Sequence, residues 1–333
     1  MTSKAGAADG NRSPWLTAGA WRRLFRDQPL IPLLLLLVVL LVVLWWIRPS
    51  IINQSLFINT IRFAVPLAIL AACQTLAMLT GGIDLSVASV ASIAAVVMAT
   101  QAPTQGPVVA IALALGLAAA IGLVNGIGIG IFRVHPLIMT LGMGLIVFGL
   151  AIVYQRMMVS AGATVPPEVV TLASGTTFGF IPNVLLLFVP LAALIILALR
   201  RSGFGRLLYA VGDNEVAARL SGVRVWSVLL TLYVISSLLA GVAGLLYGGA
   251  INFVSATLVD LYLLPSVAAA VIGGTSIFGG HGGYSGSIVG AVILTVMATL
   301  LNVMQVPEAI RQMLFGAIIL VVAAAYTRIT EET

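Results

Sequence analysis

A chain of 333 residues that is 61% hydrophobic and only 8% charged is not a soluble fold, which needs about a quarter charged residues to stay wetted. Its 16 basic and 10 acidic residues give a net charge of +6, but the basic residues lie between apolar runs rather than along one stripe, so the charge does not indicate nucleic-acid binding. The apolar surplus has to face lipid, and apolar segments fill so much of the chain that a second core has no room.

Residues 1–28 are rich in Gly, Ala and Ser near their start and read as a mobile cytoplasmic tail. Arg22, Arg23 and Arg26 precede the first apolar run, 30–47, which ends on Trp45 and Trp46 instead of a small-residue cleavage pattern. It therefore reads as an uncleaved first span with interfacial tryptophans. Crossing about 30 Å of hydrocarbon takes roughly 20 helical residues. Strong runs of that kind follow at 63–79, 108–132, 136–154, 180–199, 225–246 and 309–326. Three weaker segments, 85–99, 258–272 and 287–301, are rich in Gly, Ala, Ser or Val; such segments cross tilted, or enter and leave by one face where protein surrounds the backbone. The expected fold is all-α, a polytopic membrane protein of about ten transmembrane helices in one domain over 29–327, with a short cytoplasmic tail over 328–333.

Short cytoplasmic loops collect Lys and Arg. With ten crossings and an inside amino terminus, twelve of the 16 basic residues fall inside, and Arg48, Arg62, Arg156 and Arg311 fall outside, so both termini are expected in the cytoplasm.

Two glycine-rich polar stretches share a style, LTGGIDLSV from Leu79 and IGGTSIFGGHGGY from Ile272. Each joins apolar helices through paired glycines, a short match that points to two related halves, as in transporters whose broken helices meet at a central path. Asp84 is the acidic residue set most deeply among the spans. Its carboxylate can cap the following helix or fix a bend beside a path, and at mid-bilayer it needs a protein-lined position. Gln74, Asn125, Tyr154, Asn252 and Asn302 are the candidate path residues. Amides can bind the hydroxyls of a neutral sugar and aromatic rings can pack on its apolar faces, but the same groups can join helix to helix. Gly122 and Gly126, four apart, permit close helix crossing. Cys73 can form no intrachain disulfide, and His135 and His281 have no Cys or Glu at ligand spacing, so no metal site is expected.

The stretch from Arg200 to Arg224 holds five of the basic residues and two of the acidic ones. Asp213 or Asn214 can cap a short helix there, Glu215 suits its first turn and Gly222 can release it. Val216 and Leu220 stand four apart on one side, with Ala217 and Ala218 as a small-residue face. Such a helix either docks onto a protein or anchors neighbouring spans at the membrane surface. The chain has no phosphate-binding loop, no serine elbow, and Lys4 as its one lysine, so it is not expected to be an enzyme with its own ATPase site.

Four stretches, LTGGIDLSVASV from Leu79, NGIGIGIFRVHPLIMTLGMGLIVFGL from Asn125, FGRLLYAVGDNEVAARLSG from Phe204 and IGGTSIFGGHGGYSGSI from Ile272, resemble in order the ribose/xylose/arabinose-type permease family of bacterial ABC importers. The resemblance implies an inner-membrane subunit that pairs with a second permease copy and takes a monosaccharide from a periplasmic sugar-binding protein. It also implies a cytoplasmic ATP-binding-cassette ATPase that binds ATP and Mg, with no cofactor in this chain. By the same resemblance Asn214, Glu215, Ala217, Ala218 and Gly222 match the element that couples to that ATPase. An ion-gradient-driven secondary transporter with Asp84 at its ion site, and a non-transporting membrane scaffold, are the alternative readings.

Overall fold

The computed structural model describes residues 30–158 and 162–331, so the tail expected over 1–28 and the last two residues of the tail expected over 328–333 lie outside the described residues. Thirteen helices carry the described chain: α1 (Leu30–Ile47), α2 (Gln54–Leu79), α3 (Val87–Gln105), α4 (Pro107–Gly130), α5 (Pro136–Met158), α6 (Pro167–Ser174), α7 (Val184–Arg201), α8 (Gly203–Asp213), α9 (Glu215–Leu220), α10 (Val225–Ile251), α11 (Leu263–Ile272), α12 (Tyr284–Val303) and α13 (Glu308–Glu331). Among the described residues strands are confined to one antiparallel pair, β1 (Thr176–Thr177) with β2 (Ile181–Pro182), so the expected all-α class holds. Eight helices among the described residues, α1 to α5, α7, α10 and α12, are long and apolar enough to cross a membrane.

Two of the weak segments become full helices, α3 and α12. Small residues suit α3 because protein rather than lipid surrounds most of its length. The third weak segment departs from expectation. Its helix, α11, has ten residues, about 15 Å of rise, too short to cross by itself. The chain before it is irregular and runs back into the bundle, where the Val259 amide donates to Ser92 Oγ at 3.0 Å and the Ala256 amide to Gln155 Oε1 at 2.8 Å. Ser92 is nearer the start of α3 than its end, so a loop reaches into the bundle before a 3₁₀ turn at Asp260–Tyr262 leads into α11. Non-helical backbone at that depth is tolerated because α3 and α5 side chains satisfy its amides.

The long helix α10 lies at the centre, against α2, α3 and α4. Gly122, Gly126 and Gly130 form one stripe on α4, and a Cβ on any of them would strike the α10 backbone at Tyr233, Leu230 or Trp226 respectively. The close crossing expected from Gly122 and Gly126 is therefore present, one turn longer than the pair alone indicated. From Ala64 to its end α2 is buried throughout, whereas α1 buries only Leu33 and Leu44 and exposes leucines and valines as a lipid-facing helix does. One end of the bundle, the cavity end, gathers the starts of α2 and α13 and the ends of α10 and α12. The opposite end, the loop end, holds α8, α9 and both glycine-rich stretches.

Candidate functional site

At the first of these ends a cavity of about 690 Å³ lies among α2, α10, α11, α12 and α13. Its aromatic wall is a chain of edge-on rings: Phe63 to Tyr247 at 6.1 Å between centroids and Tyr247 to Tyr262 at 4.7 Å, each pair at 63°. The polar wall holds Asn59 and Asn302, with the hydroxyls of Thr60 and Thr299. Glu308 and Arg311, one turn apart on α13, close the rim as an ion pair at 2.5 Å. Rings beside amides and hydroxyls suit a neutral polyhydroxylated ligand, since the rings cover its apolar faces and the polar groups both donate and accept.

Of the five path residues expected from sequence, only Asn302 lines this cavity. Gln74 is fully buried and brackets a backbone segment, its Nε2 donating to the Asp84 carbonyl at 2.8 Å and its Oε1 accepting from the Asp84 amide at 3.3 Å. Asn125 is also fully buried and donates to Ser86 Oγ at 3.0 Å. The Tyr154 hydroxyl ties α5 to α3 through Thr100 at 3.0 Å and Gln101 at 2.7 Å. Asn252 ends α10 in a left-handed conformation, φ +52°, and is exposed. Asn59, Phe63, Tyr247 and Tyr262 were not anticipated. The i, i+4 spacing of Asn59 and Phe63 puts them on one face of α2, which is legible, but only the packing of four other elements turns that face into a wall.

Asp84 is fully buried, and both carboxyl oxygens are engaged: Oδ1 accepts from the Ser86 amide at 3.0 Å and the Ser86 hydroxyl at 2.6 Å, and Oδ2 accepts from the Ser236 hydroxyl at 2.8 Å. The Thr140 hydroxyl accepts from the Leu85 amide at 3.0 Å and donates to the Ile83 carbonyl at 3.1 Å. The 80–86 stretch is thus clamped from α2, α4, α5 and α10. Asp84 tethers the entrance of α3 to α10 and does not line the cavity.

At the loop end the Ser202 hydroxyl caps α8 by accepting from the Gly205 amide at 3.0 Å, and Asn214 caps α9 by accepting from the Ala217 amide at 2.9 Å. Glu215 pairs with Arg219 one turn on, and Gly222 releases the helix with φ +84°. Val216 is 67% and Leu220 85% exposed, whereas Ala218 turns inward and is buried. The outward face is therefore made by Val216, Ala217 and Leu220, and Ala218 does not share it. Behind α9, Gly212 lies directly against the Leu79 carbonyl and near the Gly280 amide, and that amide donates to the same carbonyl at 3.1 Å. The Tyr209 hydroxyl donates to the Gly282 carbonyl at 2.8 Å. Burial pushes this phenol's pKa up, with Arg200 opposing, so it stays a donor at neutral pH. The two glycine-rich stretches thus meet each other and the charged loop at one junction.

The family described as branched-chain amino acid transport system / permease component matches residues 56–323. The fructose import permease protein of Rhizobium meliloti is 33% identical over 268 residues, covering 77% of this chain and 73% of the relative. A probable ABC transporter permease protein of Sinorhizobium fredii is 33% identical over 261 residues, 78% and 77%. The ribose import permease protein of Escherichia coli K12 is 33% identical over 287 residues, 83% and 87%. No solved structure matches this chain.

Proposed function

The chain belongs to this family of permease components, and from that membership we propose that it is the membrane-spanning subunit of an ATP-driven importer for a monosaccharide or similar small polyol. The observation that carries the cargo class is the cavity in which Phe63, Tyr247 and Tyr262 face Asn59 and Asn302. Its charged residues Glu308 and Arg311 neutralise each other, which suits an uncharged ligand better than an amino acid.

The cavity end faces the periplasm, where a sugar-binding protein delivers cargo, and the loop end faces the cytoplasm with both termini. A separate ATPase binds ATP and Mg and hydrolyses the nucleotide; this chain supplies no cofactor and no catalytic group. A second copy of the permease completes the path. The exposed Val216, Ala217 and Leu220 present the docking face to the ATPase, held by the Asn214 cap, the Glu215 to Arg219 pair and the Gly222 turn. Movement of that face reaches Gly212 and through it both glycine-rich stretches, so the bundle alternates between access from either side. Coupling of this kind requires that the ATPase bind the two access states with different affinity.

Proteoliposomes holding the permease, its ATPase and its binding protein test the reading. Uptake is expected to require ATP and to be indifferent to collapse of proton and sodium gradients. Uptake that follows either gradient without nucleotide would instead establish the secondary-transporter alternative. The engagement of both Asp84 oxygens by Ser86 and Ser236 speaks against an ion site there.

A further inference from the structure

A second cavity, about 870 Å³, lies at the loop end between the turn joining α4 to α5, helix α9 and the start of α10. Arg133 and His135 from the turn, Arg219 from α9 and Arg224 just before α10 line it. Glu215 is the acidic residue on this wall, and it is paired with Arg219. That leaves Arg133 and Arg224 exposed, and among the described residues no ion pair or side-chain hydrogen bond engages either guanidinium.

Arg133 is held at φ +56°, a conformation a long side chain adopts only where its surroundings impose it. The imposing contacts are at hand: the Phe132 amide donates to the Ile127 carbonyl at 3.2 Å and the Val134 amide to the Gly128 carbonyl at 3.0 Å, wrapping the turn back onto α4. The apolar surroundings have a direction as well. Trp226, 48% exposed, stands on the wall in the first turn of the apolar helix α10, and indole rings favour the membrane interface. From the cavity wall at Ile131, 53% exposed just past the end of α4, the exposed Val124 two turns earlier continues along the same face of α4 into the apolar span.

We propose that this cavity binds the phosphate headgroup of an anionic phospholipid, with the forked guanidiniums of Arg133 and Arg224 on the phosphate oxygens and the acyl chains along the α4 face of Ile131 and Val124. Guanidinium forks match phosphate geometry, and basic pockets at the ends of membrane helices are suited to such headgroups. An acidic peptide from a partner subunit has the charge but no use for the apolar track that continues into the bilayer, which is why lipid is the occupant. The proposal requires that the chain span a membrane and is independent of its cargo and of ATP.

The test is lipid retention by the purified full-length chain, read by native mass spectrometry after exchange with phosphatidylglycerol or phosphatidylcholine of identical acyl chains. Phosphatidylglycerol is expected to be retained in preference, with about fivefold weaker retention for each of Arg133→Gln and Arg224→Gln. Excess inorganic phosphate is expected to displace it poorly, because the free anion lacks the acyl contacts. The wild-type comparison stands whether or not the variants fold, and melting temperature reports their folding. Equal retention of the two lipids overturns the proposal, as does unchanged phosphatidylglycerol retention in a folded double variant. Displacement by inorganic phosphate that is independent of acyl chains would make this a free-anion site instead. Loss of ATPase co-purification from the double variant with lipid retention intact would reassign the cavity to the partner subunit.

Discussion

The Gly280 amide donates to the Leu79 carbonyl at 3.1 Å, and Gly212 of α8 rests against that same carbonyl. Three stretches far apart in the chain meet at one peptide group, with no flexible side chain between them, so a shift of the charged loop is passed directly to the end of α2 and the approach to α12. A Cβ at position 212 would collide with the Leu79 carbonyl and the Gly280 amide. Gly212→Ala is therefore expected to remove most ATP-dependent uptake while the exposed face of α9 still recruits the ATPase. Uptake into proteoliposomes, measured beside ATPase co-purification, checks both halves.

The buried carboxyl of Asp84 gives a prediction about stability rather than selectivity. Asp84→Ala leaves the Ser86 amide and hydroxyl and the Ser236 hydroxyl without their acceptor, and each buried donor so stranded costs about 1–3 kcal/mol. A lowered unfolding temperature of the purified chain is the expected result, with Asp84→Asn between it and the native protein, since an amide keeps one acceptor oxygen but turns a donor toward a donor. An alanine variant of native stability with altered cargo preference would place Asp84 on the path.

Cavity residues and helix-joining amides separate in the same assay. Asn302→Ala removes a polar group from the cavity wall without leaving a buried partner, so the half-saturating sugar concentration is expected to rise about two- to tenfold, the worth of one hydrogen bond. Tyr247→Ala removes the middle ring of three and is expected to raise it further. Gln74→Ala and Asn125→Ala are expected instead to lower thermal stability and leave the apparent affinity near native. Uptake titrations and melting curves on the four variants decide the partition.

Much of this architecture was legible from apolar run length, because a helix that must bury its backbone in lipid leaves little freedom in where it starts and stops. The run at 258–272 misled for a physical reason. Its apolar composition does not say how much chain the helix holds, and only the structure reveals that the α-helical part stops at ten residues, with a 3₁₀ turn at Asp260–Tyr262 and a loop pinned by the Val259 to Ser92 and Ala256 to Gln155 bonds before it. The α9 release at Gly222 and a cap at Asp213 or Asn214 were legible, since capping is local chemistry, and the structure gives the cap to Asn214. The outward turn of Ala217 and inward turn of Ala218 were not, because that depends on what lies behind the helix. Of the five path residues named from sequence only Asn302 lies in the cavity, and its rings Phe63, Tyr247 and Tyr262 were not among them, since five elements have to pack before their faces share a wall.

Leu220 is 85% exposed at the tip of α9 and contributes little to this chain's own core, so Leu220→Asp is expected to leave the permease folded and inserted while weakening its hold on the ATPase. Ala218→Leu acts differently: the inward-facing side chain has no room, so it is expected to push α9 off α10 and lower stability before it affects docking. Pull-down of the ATPase on each folded variant distinguishes a docking face from a surface anchor, which would tolerate Leu220→Asp with no loss of partner.

Orientation can be read with unusual economy because Cys73 is the chain's one cysteine and is fully buried. A cysteine introduced at Val216 or at Asn302 should then be the reactive thiol in an otherwise unlabelled protein. In intact cells a membrane-impermeant maleimide is expected to modify Asn302→Cys and to spare Val216→Cys until the membrane is opened. The two positions lie at opposite ends of the bundle, so the reverse pattern would put the charged loop in the periplasm. No cytoplasmic ATPase could reach it there, and transmission of work through Gly212 would have no source.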